Sequence, residues 1–311
     1  MHQPLVFADY EHDDVVSSLA TVSDFVRWAA SCFKAAELSY GHGYAGAIDE
    51  ALALVLYAVN LTAPVAPEML QARLTKMEKN HVIALVGRRL NEQIPLAYIT
   101  QQAWFAGLEF YVDERVLVPR SPIAELIEQG FVPWAADNEI ASVLDLCCGS
   151  GCIGIACAYA FPQATVDLAD ISPAALEVAA INIEGHQLQD RVTMVQSDVF
   201  AALGGRRYDL IVSNPPYVPE SSYAELAQEY LHEPALGLLA GPEGLLVVDQ
   251  ILAQAARHLT EEGLLCVEVG EAREALELRW PEVPFVWPEF ERGGGDVLLL
   301  SAVELRRYFS D

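Results

Sequence analysis

The most marked shortage in this chain is of basic residues. Among 311 residues, Lys and Arg number 18 against 44 Asp and Glu, a formal net charge of 18 − 44 = −26. A protein that binds a nucleic-acid duplex needs a basic face, and no run of more than two adjacent Lys or Arg occurs. The composition therefore disfavours a nucleic-acid substrate and favours a basic partner, because acid repels phosphate and attracts positive charge. Solubility or adaptation to salt would equally explain the acid.

Other absences narrow the class of protein. No run of about 18 apolar residues occurs, so we expect no membrane span. The start, MHQPLVFADYEHDD, carries acids where a secretory signal peptide would carry positive charge and then an apolar core. The expected location is therefore the cytoplasm. The six cysteines form no C-x-x-C pair and no two histidines have ligand spacing, so we expect neither a metal site nor a disulfide.

The length suggests two domains, and the sequence pattern changes along the chain. Residues 21–90 carry apolar side chains at three- and four-residue spacing, which predicts helices. Aromatic and β-branched residues around Asp113 and Glu114 predict a β-hairpin, followed by a boundary at PRSP, residues 119–122. The predicted domains are a helical one over 1–100 that recognises the substrate, a hairpin linker over 101–120, and a catalytic one over 121–311.

From about residue 140, short apolar runs alternate with helical patterns. The runs include SVLDL, ATVDLAD, RVTMVQ and YDLIVS. This alternation predicts an α/β fold, a Rossmann-like parallel sheet covered by helices on both faces. The last two predicted strands, VPFVWPEF and DVLLLSAVEL, lie close together across ERGGG. Their closeness predicts an antiparallel hairpin at the edge of the sheet.

The first predicted strand runs into a glycine-rich turn, LDLCCGSGCIG. Gly149, Gly151 and Gly154 follow the pattern G-x-G-x-x-G. Glycines let the chain turn tightly and let a ligand approach the backbone at a helix N-terminus. Asp170 follows Gly151 by 19 residues, at the end of the second strand, where an acid suits a ribose diol. This context of strand, turn, helix and acid indicates a nucleotide-type cofactor.

Two classes of cofactor fit the turn. A dinucleotide would place a pyrophosphate there, whereas S-adenosylmethionine would place an amino-acid carboxylate and ammonium there. Asp145, just before the glycines, favours S-adenosylmethionine, because a carboxylate attracts an ammonium and repels a pyrophosphate. Asp198 ends the third strand, where it would accept a hydrogen bond from the adenine amino group. The structural alternatives are a helix cap for Asp145 and a turn residue for Asp198.

The fourth strand ends in SNPPYV, residues 213–218. Two prolines cannot continue a β-ladder, because neither has an N–H to donate. A simple turn would explain the prolines, but this stiff loop falls at the cofactor edge of the sheet and ends in an aromatic. If the Asn214 side-chain oxygen and the Pro215 carbonyl accept hydrogen bonds from a planar NH₂ group, they stabilise the positive charge that develops during methyl transfer. Tyr217 would pack on the flat group.

These motifs carry a family resemblance. Residues 145–151 (DLCCGSG), Asp170, Asp198 and residues 214–217 (NPPY) resemble class I S-adenosylmethionine-dependent methyltransferases that act on an amide or base nitrogen. With the helical N-terminus, the hairpin and PRSPIAELI (119–127), nearly the whole chain is similar to the protein-glutamine N5-methyltransferases. Release-factor enzymes of that family typically read Pro-Arg-x-x-Thr-Glu at this point. This chain instead resembles the branch that methylates a glutamine of ribosomal protein L-three of the large subunit.

The resemblance implies roles for individual residues. The turn would contact the methionine part of the cofactor through Cys147, Cys148, Gly149, Ser150 and Gly151. Asp170 would hold the ribose, and Val199, beside Asp198, would flank the adenine, although the release-factor branch often has an aromatic residue there. The stiff loop would bind the glutamine through Asn214, Pro215, Pro216 and Tyr217, and Asn214 would also contact the cofactor.

Three alternatives are an adenine-N6 nucleic-acid methyltransferase, a release-factor glutamine methyltransferase and a catalytically silent cofactor-binding domain. An adenine-N6 methyltransferase carries the same NPPY signature, because its methyl acceptor is also a planar NH₂ group. Base flipping, however, usually needs a target-recognition region, and the N-terminal helices are too acidic for one. Intact Asn214 and Tyr217 argue against a silent domain.

Overall fold

The protein divides into two compact units. The structure is a computed structural model that describes residues 5–135 and 139–309. The first unit comprises residues 1–102 together with 227–232, and the second comprises residues 103–226 and 233–311. Within the described ranges, every helix is too short or too polar to span a bilayer.

The first unit is helical, as the spacing of apolar residues predicts. Its helices are α1 (His12–Ser18), α2 (Val22–Ala35), α3 (Ala47–Ala58), α4 (Pro67–Leu70), α5 (Lys76–Asn91) and α6 (Leu96–Thr100). Both α2 and α5 begin with a capping box, in which a threonine and the acid three residues later satisfy each other's backbone N–H. Phe25, Trp28 and Phe33 on α2 are buried in the core of this unit.

The first unit also contains a buried cluster of charges. Arg89 on α5 is 1% exposed, and its Nε donates to Oε1 of Glu50 on α3 over 2.5 Å. Both terminal nitrogens of Arg89 lie 3.4 Å from Oε1 of Glu229. The same Glu229 oxygen accepts the Ser39 N–H over 2.8 Å. Glu229 thereby fixes residues 227–232 within the helical unit, although they are distant from it in sequence.

The second unit is built on a six-stranded sheet. A hairpin of β1 (Ala103–Phe105) and β2 (Leu108–Phe110) precedes it. The elements that follow are α7 (Ile123–Glu128), β3 (Ser142–Leu146), α8 (Cys152–Ala160), β4 (Thr165–Asp170), α9 (Pro173–Gly185), β5 (Val192–Gln196), β6 (Tyr208–Ser213), α10 (Glu220–Tyr223), α11 (Leu246–His258), β7 (Leu259–Glu268), α12 (Arg273–Arg279), β8 (Val297–Ser301) and α13 (Ala302–Phe309). The strand order is β5-β4-β3-β6-β7-β8, with only β7 and β8 antiparallel among these pairs. The predicted α/β fold with an antiparallel edge is confirmed.

Both faces of the sheet are largely buried except at the edge strand β5, which explains why the other strands read as almost continuous apolar runs. Successive residues of a strand point to opposite faces. Val143 belongs to the core that includes residues of α7, α8 and α9, whereas Leu144 belongs to the core that includes residues of α11, α12 and α13. The two layers fix the strand ends, and with them the loops that carry the polar motifs.

The hairpin is present, but its turn lies earlier than the sequence suggests. Ala106 and Gly107 connect the strands, with φ of 48° and 75°. Positive φ at both central residues is the requirement of a two-residue type I′ turn. Asp113 instead forms a local turn after the hairpin, where its carboxylate accepts hydrogen bonds from the Arg115 backbone and side chain. Side-chain hydrogen bonding by Asp is a common way to build such a turn.

The partner of the last strand also differs from the prediction. The segment 283–290 forms a single bridge, between Val286 and Leu299, and β8 pairs along its length with β7. Pro284 and Pro288 have no N–H and cannot support a continuous ladder. The prediction of a strand over VPFVWPEF was therefore wrong, although the antiparallel edge is present.

Candidate active site

A cavity of about 210 Å³ lies at the carboxyl ends of the parallel strands of the second unit. This is the edge at which open α/β sheets bind ligands. Eleven of the thirteen predicted site residues line it: Cys147, Cys148, Gly149, Ser150, Asp170, Asp198, Val199, Asn214, Pro215, Pro216 and Tyr217. The other two, Asp145 and Gly151, lie outside the lining. Their roles and those of the lining residues remain predictions.

Asp170, the last residue of β4, ties the glycine turn to the neighbouring strand. Its Oδ2 accepts the Gly149 N–H over 2.9 Å, and its Oδ1 accepts the Ser172 N–H over 2.8 Å. Burial raises the pKa of this carboxyl, and the backbone donors partly offset that rise. Each oxygen retains acceptor capacity. Asp170 can therefore accept from two vicinal hydroxyl groups while it holds the turn.

Asp145 lies on β3, behind the turn, and is fully buried. Its Oδ2 accepts the Gly154 N–H over 2.8 Å in the first turn of α8, which is the capping geometry that the sequence left as an alternative. A Cβ on Gly154 would lie 2.2 Å from a Leu168 methyl carbon, so the glycine lets α8 pack closely on β4. Burial raises the pKa of Asp145 to about 8. Its Oδ1 has no hydrogen-bond partner among the described residues.

The loop after β5 supplies an apolar part of the cavity wall. Val199 is buried at φ 46°, a region that β-branched residues rarely adopt. The Ser197 hydroxyl supports this conformation, since it donates to the Val199 carbonyl over 2.8 Å. Asp198 is exposed. Ile171, directly after Asp170, also lines the cavity. Sequence reasoning missed Ile171, although an apolar residue next to a strand-end acid is a usable signal.

The thiols at the turn are neutral. Cys147, Cys148 and Cys152 line the cavity, and burial raises the pKa of each above its usual range. Since the thiolate is the nucleophile and the metal ligand, these cysteines act as small wall residues. Cys147 has φ of 57°, so the turn uses a left-handed conformation at a residue other than glycine.

Asn214 lies in the wall of the cavity. It follows Ser213, whose hydroxyl donates to the Leu146 carbonyl over 2.8 Å and so joins the ends of β6 and β3. Within residues 5–135 and 139–309, the Asn214 side chain and the Pro215 carbonyl make no hydrogen bond. Two consecutive residues that line the cavity therefore each carry an oxygen acceptor that has no partner among the described residues.

Tyr217 is held by a residue that sequence reasoning missed. Its hydroxyl donates to Oε1 of Glu268 over 2.9 Å, and burial raises the pKa of the phenol above its usual range. A Cβ on Gly270 would lie 2.4 Å from the Tyr217 ring, so the glycine permits close packing. Glu268 ends β7 in the run LLCVE. Like Asp170, it is an acid that directly follows an apolar strand, and that signal was available.

A second buried carboxylate joins two further segments of the wall. Oε1 and Oε2 of Glu233 accept hydrogen bonds from Nη1 and Nη2 of Arg120 over 2.5 and 2.7 Å. Oε1 also accepts the Val118 N–H over 2.9 Å. The segments 115–121 and 234–238 both line the cavity. Glu233 therefore connects the PRSP segment to the loop that follows NPPY, a role that the sequence alone did not assign.

Comparisons with known proteins identify the relatives of this chain. The sequence profile of the family described as "Methyltransferase small domain" matches residues 132–248. The "Ribosomal protein uL3 glutamine methyltransferase" of Francisella tularensis subsp. tularensis is 46% identical over 97% of this chain and 97% of its own length. The protein of the same name from Xylella fastidiosa is 51% identical over 92% of each chain. At these levels of identity and coverage, the relationship spans both units.

Proposed function

This chain belongs to the ribosomal protein uL3 glutamine methyltransferases, and we propose that it methylates the side-chain amide nitrogen (N5) of a glutamine in ribosomal protein uL3, the large-subunit protein L-three. The methyl donor is S-adenosylmethionine. The observation that supports the proposal is the pair of unpartnered acceptors on Asn214 and Pro215, two residues that line the same cavity as Asp170 and the glycine turn.

The residues of the cavity fit S-adenosylmethionine. Asp170 retains an acceptor for each ribose hydroxyl, and the start of α8 offers backbone N–H groups to a carboxylate. Ile171 and Val199 provide apolar surfaces for an adenine, beside the exposed carboxylate of Asp198. When bound, the cofactor supplies an electrophilic methyl group on a positively charged sulfur.

The NPPY loop activates the glutamine by orientation and electrostatics. An amide nitrogen is a poor nucleophile, because its lone pair is delocalised into the carbonyl group. Asn214 Oδ1 and the Pro215 carbonyl accept hydrogen bonds from the two N–H groups of the substrate NH₂. These hydrogen bonds become stronger as positive charge develops on that nitrogen. Because the prolines stiffen the loop, these acceptors need little reorganisation. A fixed near-attack geometry supplies much of the remaining rate enhancement.

No general base is required before methyl transfer in this scheme. The nitrogen would lose a proton to solvent water only after it has gained the methyl group, when it has become strongly acidic. Asn214 and Pro215 are both hydrogen-bond acceptors through oxygen, and neither needs to change its protonation state. Tyr217 supplies the aromatic wall against the flat amide.

The distribution of charge supports a basic protein as substrate. By sequence, residues 103–226 and 233–311 carry 11 Lys and Arg against 32 Asp and Glu, a net of 11 − 32 = −21; the remaining residues carry 7 against 12, a net of 7 − 12 = −5. The excess acid is thus concentrated in the unit that contains the cavity. A negative unit of this kind accelerates encounter with a basic substrate and disfavours nucleic acid. We assign substrate selection to the helical unit.

The test is methylation of purified uL3 by the purified chain with S-adenosylmethionine, followed by mass spectrometry of proteolytic peptides. The expected result is one methyl group on one glutamine side chain. A release factor and ribosomal RNA serve as competing substrates in parallel reactions. Methylation of either of those without methylation of uL3 would contradict the proposal. Ribosomal proteins from a strain that lacks this chain should contain uL3 lighter by one methyl group.

A further inference from the structure

A buried carboxylate at the end of β7 joins two segments of the cavity wall. Glu268 is 6% exposed. Its Oε1 accepts the Tyr217 hydroxyl over 2.9 Å, and its Oε2 accepts the Ser121 hydroxyl over 2.5 Å. Tyr217 belongs to the NPPY loop, whereas Ser121 belongs to the PRSP segment, and both residues line the cavity. The two hydroxyl donors are therefore held at a distance set by one carboxylate group.

The surroundings leave the Tyr217 ring little freedom. Gly270, two residues after Glu268, approaches the ring so closely that a Cβ there would overlap it. A Cβ on Gly244 would lie 2.2 Å from the Tyr217 carbonyl oxygen, so the backbone of the loop is also tightly packed. The hydroxyl proton is committed to Glu268. Tyr217 can therefore present its ring to a substrate only in the orientation that Glu268 allows.

The hydrogen-bond donors to Glu268 differ in charge from those to Glu233. Glu233 pairs with the Arg120 guanidinium, whereas both side-chain donors to Glu268 are neutral hydroxyl groups. Burial raises the pKa of Glu268, and the two hydroxyl donors partly offset that rise. Hydrogen bonds to a buried carboxylate are strong and directional, so they fix geometry at the cost of burying the group.

We propose that Glu268 is a positioning residue for methyl transfer: through Tyr217 and Ser121 it holds the NPPY loop in register with the PRSP segment at the glutamine end of the cavity. This inference rests on the proposed function. Asn214 and Pro215 precede Tyr217 by three and two residues, so a shift of the tyrosine is transmitted to the two acceptors through a stiff backbone. Small displacements of such groups have large effects on rate.

The test compares Glu268→Gln, Glu268→Leu, Tyr217→Phe and the double variant Tyr217→Phe/Glu268→Leu. Turnover of uL3 is normalised to the number of cofactor-binding sites, measured by calorimetry. Glu268→Leu and Tyr217→Phe should each lower kcat on the order of 10- to 100-fold, with little change in cofactor affinity. Glu268→Gln should lose much less, because its amide can still bond both hydroxyl groups. The double variant should be no slower than Glu268→Leu, since both changes remove the same contact.

Glu304→Gln is the matched control. Glu304 accepts a serine hydroxyl, that of Ser301, over 2.7 Å and the Ser301 N–H over 2.8 Å at the start of α13, outside the cavity lining. Its substitution should lower the melting temperature slightly and leave kcat unchanged.

Two outcomes separate this inference from the function on which it rests. If wild-type protein fails to methylate uL3, the proposed function fails. If wild-type protein is active and Glu268→Leu and Tyr217→Phe retain its kcat per bound cofactor, the positioning role alone is overturned. If Glu268→Leu yields no folded protein, Tyr217→Phe decides: a normal kcat overturns the inference and a reduced kcat at normal cofactor affinity supports it.

Discussion

The backbone N–H of Gly149 donates to Oδ2 of Asp170 over 2.9 Å, which links the turn after β3 to the end of β4. The residue predicted to hold the cofactor ribose thus also defines the shape of the turn predicted to hold the methionine part. Loss of Asp170 should affect both ends of the cofactor, although only one end would contact the carboxylate directly.

Asp170→Ala should weaken binding of S-adenosylmethionine by about 1–3 kcal/mol, the usual cost of losing a charge-assisted hydrogen bond. Calorimetric titration with the cofactor or its demethylated product measures the change. Asp167→Asn is the control, because Asp167 lies on the same strand but pairs with Arg206 and Tyr208 outside the cavity. Tight binding of NADH without binding of S-adenosylmethionine would refute the cofactor assignment.

Asn214→Ala should reduce turnover by about 100- to 1000-fold, because it removes one preorganised acceptor of the developing charge. Cofactor affinity and the melting temperature should change little, since the Asn214 side chain has no hydrogen-bond partner among the described residues. The measurement is uL3 methylation at saturating cofactor and substrate. Near-normal turnover would show that Asn214 has no catalytic role and that SNPPYV is only a structural turn.

Asn214→Asp separates shape from charge. It keeps an acceptor of similar shape but adds a negative charge beside the cofactor's sulfonium group. That charge stabilises the ground state as well as the transition state, so turnover should be impaired yet measurable. Equal turnover in Asn214→Asp and wild type would show that the neutral amide has no special role.

The buried carboxyl group of Asp145 makes the stability of the protein depend on pH. Its pKa is about 8 in the folded protein, against an ordinary value of 3.8. Between these values the folded protein holds a proton that the unfolded chain has lost, so the wild type loses stability as pH rises from about 4 to 8. Asp145→Asn keeps an acceptor for the Gly154 N–H and removes this dependence. Its stability relative to wild type should therefore rise with pH, by up to about 1.4 kcal/mol per unit.

Urea denaturation of the cofactor-free protein at pH 5, 6.5 and 8 tests the Asp145 prediction. A difference in the free energy of unfolding between Asp145→Asn and wild type that is constant with pH reflects the loss or gain of hydrogen bonds. It carries no information about the protonation of Asp145. Only the change of that difference with pH tests the prediction. Parallel stability curves for wild type and Asp145→Asn would mean that Asp145 is ionised throughout this range.

Arg89→Met should destabilise the helical unit by about 3–5 kcal/mol, because it leaves the carboxylates of Glu50 and Glu229 buried without their cation. Burial already raises the pKa of Glu50, so protonation at pH 5 should recover part of the loss. Arg88→Met is the adjacent control: its side chain is 48% exposed and lies 3.9 Å from Glu92, so it should cost under about 1 kcal/mol. Urea unfolding at pH 5 and 7.5 measures both. Similar losses for the two variants would show that the buried cluster contributes nothing beyond a surface pair.

The sequence was most informative where geometry follows from topology. Parallel strands place their carboxyl ends on one edge, so Asp170, Asp198 and Asn214 could be brought together without coordinates. Asp145 was harder, because one oxygen of a strand-end acid caps a helix and the residue lies outside the cavity lining. Its position depends on how closely α8 packs on β4 at Gly154, which the glycine pattern permits but does not fix.

The hydrogen-bond partners of Glu233 and Glu268 could not be predicted, because they are remote in sequence. Glu233 pairs with Arg120 across 113 positions, and Glu268 with Ser121 across 147. Glu268 has the local signal of an acid at the end of an apolar strand, whereas Glu233 has none, and the partners of both acids are set by tertiary packing. The hairpin turn was misplaced for the opposite reason: Asp113 is a strong turn signal, but the residues after it form no second strand.

The inclusion of residues 227–232 in the helical unit affects how the chain matures during synthesis. Arg89 is synthesised 140 positions before Glu229. Residues 1–102 of the first unit are therefore complete well before residues 227–232, and residues 103–226 of the second unit are translated in between. Domains usually fold in order as they emerge. Here the N-terminal unit lacks Glu229 until β1 to β6 and the NPPY loop have been synthesised. We therefore expect this unit to complete its folding only after the NPPY loop has been made.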